Sequence, residues 1–410
     1  MTNSEKMLKA IENKNIEDAD YYFNQALLHD DEALLLSLAE YLESIGFFPQ
    51  AKAIYLKLKK HYPEVAINLA QIVAEEGDIE TAFLYLDEIS KESEYYLPAL
   101  LVMADLYDME GLTDVAREKL VEATQLSHDP LVVFGLAEIE LSLEHYKEAI
   151  TEYAKLDHQE LFELTGVSTY QRIGKAYASL GKFEAAIEFL EKSLELDYSE
   201  ETLFELATIL YQQQEYQKAN IYFKQLENLS GDFSGYEYVY ALSLHKEDQI
   251  EEALKVAQQG LAKNEFDSQL LLLASQLSYE THDSKAAETY LLSAQQLVED
   301  KEEVFLRLTT LYLEEERYEE IIALAKESID NVLTRWNIAK AYQALENEEE
   351  SLKAYEELSK DLKDNPEFLK DYFYVLREYG DTKKMRAIGE NYLKLVPDDL
   401  EIVHLLEEWD

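Results

Sequence analysis

Apolar residues recur at spacings of three and four along almost the whole chain, which is the period of an amphipathic helix. The segment 172–198 reads RIGKAYASLGKFEAAIEFLEKSLELDY and contains two such stretches, separated by Gly181 and Lys182. Because the spacing is three and four throughout, the pattern predicts two short helices joined by a turn, and not strands.

The same pair of helices recurs about every 33 residues. We name its helices A and B. Helix B has one small position, the B slot, which is Ala in nine of twelve copies. In chain order the B slot is Ala19, Ala51, Ala82, Ala116, Ala149, Ala186, Ala219, Ala253, Ala286, Ile321, Ser351 and Met385.

Helix A has a matching small position, the A slot, twelve residues before the B slot. It is Ala or Gly in nine of twelve copies. Small residues at a fixed separation predict that the two helices of each pair cross closely there, because a larger side chain would hold the backbones apart. In chain order the A slot is Met7, Ala39, Ala70, Ala104, Ala137, Gly174, Ala207, Ala241, Ala274, Thr309, Ala339 and Phe373.

Glycines mark the predicted turns between helices A and B. Gly46, Gly77, Gly111, Gly181 and Gly380 each fall just after a helix A. A left-handed residue ends a helix there, and glycine adopts that conformation at little cost. An aromatic residue, such as Tyr55, Tyr153 or Tyr290, often follows the B slot by four residues.

Together these features resemble the tetratricopeptide repeat (TPR) family: a small residue, a Tyr three later, then Gly-x-aromatic-x-x-Ala. The resemblance covers about residues 4–397. The whole chain is similar to stand-alone acidic TPR proteins of low-GC Gram-positive bacteria. This implies an all-α fold, a right-handed α-solenoid of about twelve helix–turn–helix repeats with a C-terminal capping helix.

Some positions depart from the family pattern. Glu140 stands where the family has a buried Tyr, so we expect Leu141 to turn inward in its place. The last three repeats carry larger or polar slot residues, and we expect altered helix crossings there. These residues are Thr309, Ile321, Ser351, Phe373 and Met385.

We divide the chain into three regions: repeats one to five in 1–156, repeats six to twelve in 157–397, and a capping helix in 398–410. Extra residues near 157–167 predict a change of curvature, and GDFSG at 231–235 predicts a flexible connector. The last region could cover the final repeat or, alternatively, bind a partner. Its apolar face is Ile402, Leu405, Leu406 and Trp409.

The charge is strongly negative, −48 from 37 Lys and Arg against 85 Asp and Glu. Such an excess argues against nucleic acid, whose phosphates need clustered cations, and against an anionic membrane surface. The first residues lack a signal-peptide pattern, and no apolar run approaches the roughly twenty residues of a membrane helix. These features predict a cytoplasmic protein without nucleic-acid or membrane partners.

Signatures of catalysis and of cofactor binding are missing from the sequence. The chain has no Cys, which excludes disulfides and thiolate metal sites, and its eight His residues show no metal-ligand spacing. We therefore expect no catalytic residue, no metal and no cofactor. Carboxylate pairs occur by chance among 85 acids, so an enzyme with groove carboxylates is the less favoured alternative.

The TPR resemblance implies that partners bind in a concave groove lined by the A helices. In repeats two to five the predicted lining is acidic, and it consists of Glu40, Glu43, Asp105, Asp108 and Glu138. In later repeats the predicted lining is mixed and includes Lys175, Lys340 and Tyr374.

We therefore predict a non-catalytic interaction scaffold that binds protein or peptide segments, at least one of them basic. The acids could instead follow the overall composition and select nothing. A peptide-sensing regulator without a DNA-binding domain is a further alternative. Exposed helix faces would also permit a homo-oligomer.

Overall fold

The structure is a computed structural model and describes residues 1–229 and 233–407. Within those residues it contains 26 α-helices and no strand. The chain forms two compact units, Met1–Thr202 and Leu203–Asp410. Each unit is a stack of antiparallel helix pairs, so the predicted all-α repeat architecture is confirmed.

The first unit contains six helix pairs. A single additional helix, α11, lies between the fifth pair and the sixth. Its helices are α1 (Asn3–Glu12), α2 (Ile16–His29), α3 (Glu32–Ser44), α4 (Phe48–Leu58), α5 (Val65–Glu75), α6 (Ile79–Asp87), α7 (Tyr96–Met109), α8 (Thr113–Leu126), α9 (Pro130–Ser142), α10 (Tyr146–Tyr153), α11 (His158–Thr165), α12 (Thr169–Ser179) and α13 (Phe183–Leu196).

The second unit holds six helix pairs and a final single helix, and the division between the units falls inside its first helix. Its helices are α14 (Glu200–Gln212), α15 (Tyr216–Leu229), α16 (Glu237–Lys246), α17 (Ile250–Lys263), α18 (Ser268–Glu280), α19 (Ser284–Gln295), α20 (Glu302–Glu314), α21 (Tyr318–Leu324), α22 (Val332–Ala344), α23 (Glu348–Leu358), α24 (Pro366–Tyr379), α25 (Thr382–Leu395) and α26 (Leu400–Glu407).

Small residues lie where the two helices of a pair cross. Ala39 on α3 and Ala51 on α4 are both fully buried, and Ala104 and Ala116 show the same arrangement on α7 and α8. The five departing slot residues of the last three repeats are buried as well. Close backbone approach lets larger apolar side chains on either side of each crossing interdigitate, and they form successive hydrophobic clusters along each unit.

The turn between helices A and B uses a left-handed residue seven positions after the A slot. Gly46, Gly77, Gly111 and Gly181 have φ of 81°, 88°, 74° and 70°, as predicted. Gly380 does not, because the last turn is two residues long and its Asp381 caps α25 by accepting from the Lys383 amide. Elsewhere the left-handed residue is not Gly: Lys14, Glu144, Gln214, Asp248, His282, Glu316 and Glu346.

The predicted slots of the ninth repeat are shifted by one residue. Ala286 is only half-buried, whereas Ala287 is 1% exposed. The left-handed His282 lies seven residues after Ser275, which is 2% exposed, so the A slot is Ser275 rather than Ala274. The Ala pair at 274 and 286 was misleading because it has the same twelve-residue separation and Ala274 is also buried.

Glu140 is itself buried, and Leu141 does not replace it in the interior. Its side chain is 3% exposed, while Leu141 is half-buried. The carboxylate remains inside because Arg117 Nε and His145 Nδ1 lie 2.7 and 2.8 Å from its two oxygens. A buried charge is tolerated when it is paired and hydrogen-bonded, so the prediction for Leu141 was wrong.

The extra residues of the sixth repeat fold into α11, which begins after Asp157 and ends at the left-handed Gly166. At the other end of the chain, Ile402 of α26 is fully buried against the last pair, and Asp399 Oδ1 accepts from its amide at 3.4 Å. Trp409 and part of the predicted connector lie outside the described residues. The predicted curvature and crossing changes stay predictions.

Candidate functional site

Some successive A helices pack directly on one another. Within the first unit α5 packs on α7, and within the second α16 packs on α18 and α20 on α22. In the described part of the chain no two successive B helices pack to the same extent. A stack is concave on the side where successive elements are closest, so these contacts favour the predicted concave side on the A helices. We call the A-helix surface of each unit the groove.

Polar side chains join successive A helices across this groove. In the first unit Arg172 Nε of α12 lies 3.1 Å from Glu138 Oε1 of α9. In the second unit His245 Nε2 lies 2.7 Å from Glu280 Oε2, and Lys340 Nζ lies 3.2 Å from Asp371 Oδ2. Much of the groove lining is therefore held in place by contacts between neighbouring repeats.

Glu43 is held by two donors. The hydroxyl of the fully buried Tyr55 donates to Glu43 Oε2 at 2.6 Å, and Asn68 Nδ2 donates to the same oxygen at 3.0 Å. Burial, and then the hydrogen bond to this carboxylate, raise the pKa of Tyr55 above its ordinary value. Tyr55 therefore stays a neutral donor, and Glu43 is a structural acceptor as well as a groove residue.

Glu138 is compensated in a similar way. It accepts a hydrogen bond from the Tyr153 hydroxyl and forms the ion pair with Arg172. Burial, followed by the charge of Glu138, raises the pKa of Tyr153. Because Arg172 offsets its charge, Glu138 adds less to an acidic groove than the sequence predicted.

Glu40 and Asp105 are the most available of the predicted acids. Both are exposed, and neither side chain has a hydrogen-bond partner among the described residues. Asp108 is also exposed and accepts from the Thr113 hydroxyl at 2.8 Å. Desolvation within the groove, and then the charge of Asp108, raise the pKa of Asp105.

The predicted groove residues of the later repeats are largely engaged. Lys340 pairs with Asp371, and its Nζ lies 4.1 Å from the centre of the Trp336 ring. The Tyr374 hydroxyl donates to Glu401 Oε1 of α26 at 2.6 Å, and burial raises the pKa of Tyr374 to about 12. Lys175 is half-buried on α12. The eight predicted residues thus lie on several A helices and form no single cluster.

Reasoning from the sequence missed the tyrosine hydroxyls in this groove. The pattern placed Tyr55 and Tyr153 four residues after the B slot and gave no role to their hydroxyls, yet both hydroxyls donate to groove carboxylates. The choice of Tyr over Phe at a buried position was the available signal, since a buried hydroxyl needs a partner. It also missed a cavity between α18 and α20, which the shifted slots of the ninth repeat had obscured.

Across residues 1–229 and 233–407, no group of three or more His, Asp or Glu side chains could hold a metal ion. None of the helices described there combines the length and the apolar character that crossing a bilayer requires.

Three stretches of the chain match models of known families. Residues 108–161 match YpiA-like tetratricopeptide repeats, and residues 167–200 match the tetratricopeptide repeat itself. Residues 333–399 match the YpiA-like C-terminal tetratricopeptide repeats.

Several known proteins are similar to this chain. The TPR repeat-containing protein YpiA of Bacillus subtilis (strain 168) is 27% identical over 376 residues, which is 90% of this chain and 88% of YpiA. Among solved structures, Naa15/Naa10 bound to HypK-THB aligns over 90% of this chain and 64% of that chain, with 15% identity and a TM-score of 0.42. YrrB, a TPR protein with an unusual peptide-binding site, aligns over 49% of this chain and 99% of its own, with 17% identity and a TM-score of 0.39.

Proposed function

Because this chain is built of tetratricopeptide repeats, we propose that it is a non-catalytic scaffold that holds protein or peptide segments along its A helices. At least one such segment is basic. The single observation that carries the proposal is the groove of the first unit, where Glu40 and Asp105 are exposed and unpaired among the described residues. Asp108 adds a third accessible carboxylate to that surface.

Electrostatics make this groove selective only if several charges act together. One exposed ion pair contributes about 0.2–1 kcal/mol, which is too little to hold a partner. A segment that lies across consecutive A helices can meet several carboxylates in turn and bury apolar surface between them. Complementary charge then mainly speeds association and rejects acidic competitors.

Affinity purification with mass spectrometry tests the proposal directly. The bait is the full chain, compared with the groove variant Glu40→Lys/Asp105→Lys. A matched control, Asp20→Lys/Glu118→Lys, changes the net charge equally but places the lysines at exposed positions on the B helices α2 and α8. We expect specific interactors to be lost from the groove variant and retained by the control.

The opposite result has a clear meaning. Interactors that survive both variants would show that the acidic groove does not select partners. Interactors lost equally from both would show that net charge, not the groove, drives the association. Circular dichroism of each variant establishes that all three proteins are folded alike.

The proposal extends to the cellular location of the protein and to the classes of molecule that it does not bind. With a net charge of −48, the chain is not expected to bind nucleic acid or anionic lipid, and we propose that it acts in the cytoplasm. Cosedimentation with vesicles containing phosphatidylserine and cell fractionation test these two points. Light scattering after size exclusion decides whether the scaffold is a homo-oligomer.

A further inference from the structure

A cavity of about 480 Å³ opens between α18 and α20 in the second unit. It faces the groove, because both helices are A helices. The surface that it exposes is mainly apolar. Ala287 and Leu291 of α19 form its floor. The walls combine apolar and polar side chains: Ser275, Gln276, Tyr279, Glu280, Leu306, Arg307, Thr310 and Leu311. Ala287 and Leu291 are 1% and 3% exposed, so the cavity reaches down to the core.

The residue four positions after the B slot lies on the floor of this cavity. In four other repeats a fully buried ring fills that position: Tyr55, Tyr153, Phe223 and Tyr355. In the ninth repeat the corrected B slot is Ala287, and the position falls on the smaller Leu291 instead of Tyr290. The small Ser275 and Thr310 border the same space. The cavity therefore lies next to a position that holds an aromatic ring elsewhere in this chain.

Two bridges between α18 and α20 hold the cavity open. Arg307 Nη1 of α20 donates to the Leu272 carbonyl of α18 at 2.9 Å. Nearer the other end of the helices, the Tyr279 hydroxyl donates to Glu314 Oε1 at 2.6 Å. A pocket that is already formed binds a ligand without the cost of ordering its own walls.

The rim of the cavity carries an excess of negative charge. Glu280 and Arg307 line the cavity, and just outside it Glu303 contacts Arg307 and Glu314 accepts from Tyr279. Glu280 accepts from Gln276 and contacts His245, and Glu303 pairs with Arg307. An apolar floor below an acidic rim complements a large apolar side chain next to a basic residue.

We propose that this cavity, which we call the α18–α20 pocket, is the specificity pocket of the scaffold. It accepts one aromatic or leucine side chain of a partner peptide that carries Lys or Arg beside that residue. The inference rests on the proposed function and names the chemistry of the segment that the groove selects. The apolar side chain is the anchor, and the basic neighbours provide charge complementarity.

Binding of defined probe peptides to the full chain tests the pocket. The probe is a short fluorescein-labelled Gly–Ser peptide with a central Lys-Trp-Lys, and its counterparts carry Lys-Ala-Lys or Glu-Trp-Glu. A buried aromatic anchor typically accounts for a large share of binding energy, so we expect fluorescence anisotropy to show about tenfold or greater weakening for Lys-Ala-Lys. The Glu-flanked probe should also bind more weakly.

Two tryptophan variants locate the effect. Thr310→Trp fills the α18–α20 pocket from an exposed position on α20, and it should abolish the preference for Lys-Trp-Lys over Lys-Ala-Lys. Gln71→Trp places the same side chain at an exposed groove position on α5 and should leave the preference intact. A probe with benzoylphenylalanine in place of Trp should crosslink to α18, α19 or α20.

If Lys-Trp-Lys and Lys-Ala-Lys bound equally to the wild-type chain, or if neither bound, the proposed role of the α18–α20 pocket would be refuted. Crosslinks confined to other helices, or a preference that survives Thr310→Trp, would do the same. These outcomes leave the scaffold proposal standing, because that proposal is tested in the other unit through Glu40 and Asp105.

Discussion

Arg117 of α8 and Glu140 of α9 form an ion pair of 2.7 Å that links two successive repeats through a nearly buried carboxylate. Removing one partner of such a pair leaves a charge without compensation, whereas replacing both by apolar residues can be almost neutral. Here His145 still contacts Glu140, and Arg117 is partly exposed, which moderates the loss.

We therefore expect Arg117→Met to lower the free energy of unfolding by about 1–3 kcal/mol. Arg117→Met/Glu140→Met should recover most of that loss. Urea unfolding followed by circular dichroism measures both effects in a double-mutant cycle. If the single variant were no less stable than the double variant, the ion pair would have no structural role.

The left-handed turn position can be tested by two opposite exchanges, one that removes a glycine and one that introduces a glycine. Gly181 has φ of 70°, and a Cβ at this position would meet no other atom within 4 Å, so Gly181→Ala should cost about 1 kcal/mol through backbone strain alone. Glu144 has φ of 61° at the same position of the preceding repeat, and Glu144→Gly should be neutral or stabilising by up to about 1 kcal/mol. Thermal unfolding midpoints that move in the same direction for both variants would refute this account.

Two helical glycines separate steric clash from helix propensity. A Cβ at Gly174, in the A slot of the sixth repeat, would lie 2.7 Å from Leu190 Cγ, so Gly174→Ala should destabilise by about 1–3 kcal/mol. At Gly135 the nearest atom, Leu120 Cδ2, would lie 3.7 Å away. Gly135→Ala should therefore stabilise α9 by about 0.5–1 kcal/mol, as alanine does in helices. Denaturant midpoints of the two variants should shift in opposite directions.

Self-repulsion should make stability depend on salt. Two like charges 10 Å apart in water repel by about 0.4 kcal/mol, and the Debye length at 0.1 M salt is about 10 Å. With a net charge of −48, screening should raise the melting temperature between low and moderate salt. Scanning calorimetry in sodium chloride measures the trend. A flat or falling response would mean that repulsion between carboxylates does not limit stability.

The contribution of Asp399 to the stability of the C-terminal helix α26 should be lost at acidic pH. Asp399 Oδ2 accepts from Lys370 Nζ at 2.9 Å and from the Tyr392 hydroxyl at 2.7 Å, and these hydrogen bonds lower the pKa of Asp399 to about 2. A lowered pKa means that the stabilisation is complete above the unfolded value near 3.8 and disappears as the pH falls towards 2.

Asp399→Asn should therefore reduce stability at pH 7, and the difference from wild type should shrink as the pH falls below about 4. Comparing the two proteins at each pH cancels the titration of the other carboxylates. Urea unfolding at low protein concentration, with hydrogen exchange of α26 as a local probe, measures the difference. A difference independent of pH would show that the ionised form of Asp399 is not what stabilises the cap.

Most of the fold followed from the spacing of small residues. Ala39 with Ala51, and Ala104 with Ala116, lie at helix crossings because only a small side chain permits close backbone approach. In the ninth repeat this spacing predicted the wrong slots, because Ala274 and Ala286 have the same separation as Ser275 and Ala287, which occupy them. A register that differs by one residue places Leu291, and not Tyr290, in the core beside the α18–α20 pocket.

The candidate site was less accessible to such reasoning. Glu40 and Asp105 each follow an A-slot residue directly, which predicted that both are groove acids, and both are exposed. Position in the repeat could not show that Glu138 is paired with Arg172, which lies 34 residues later in the chain. Contacts of that kind depend on how one repeat stacks on the next, and the repeat period carries no information about individual side-chain partners.

The amino-acid sequence by itself determined the repeat, its helical period and its excess of negative charge, because each of these is a local or additive property. Only the tertiary structure decided which acids remain free, that Glu140 stays inside, and where a cavity opens between A helices. Those outcomes depend on distances between residues about one repeat apart, which are set when the hairpins pack together.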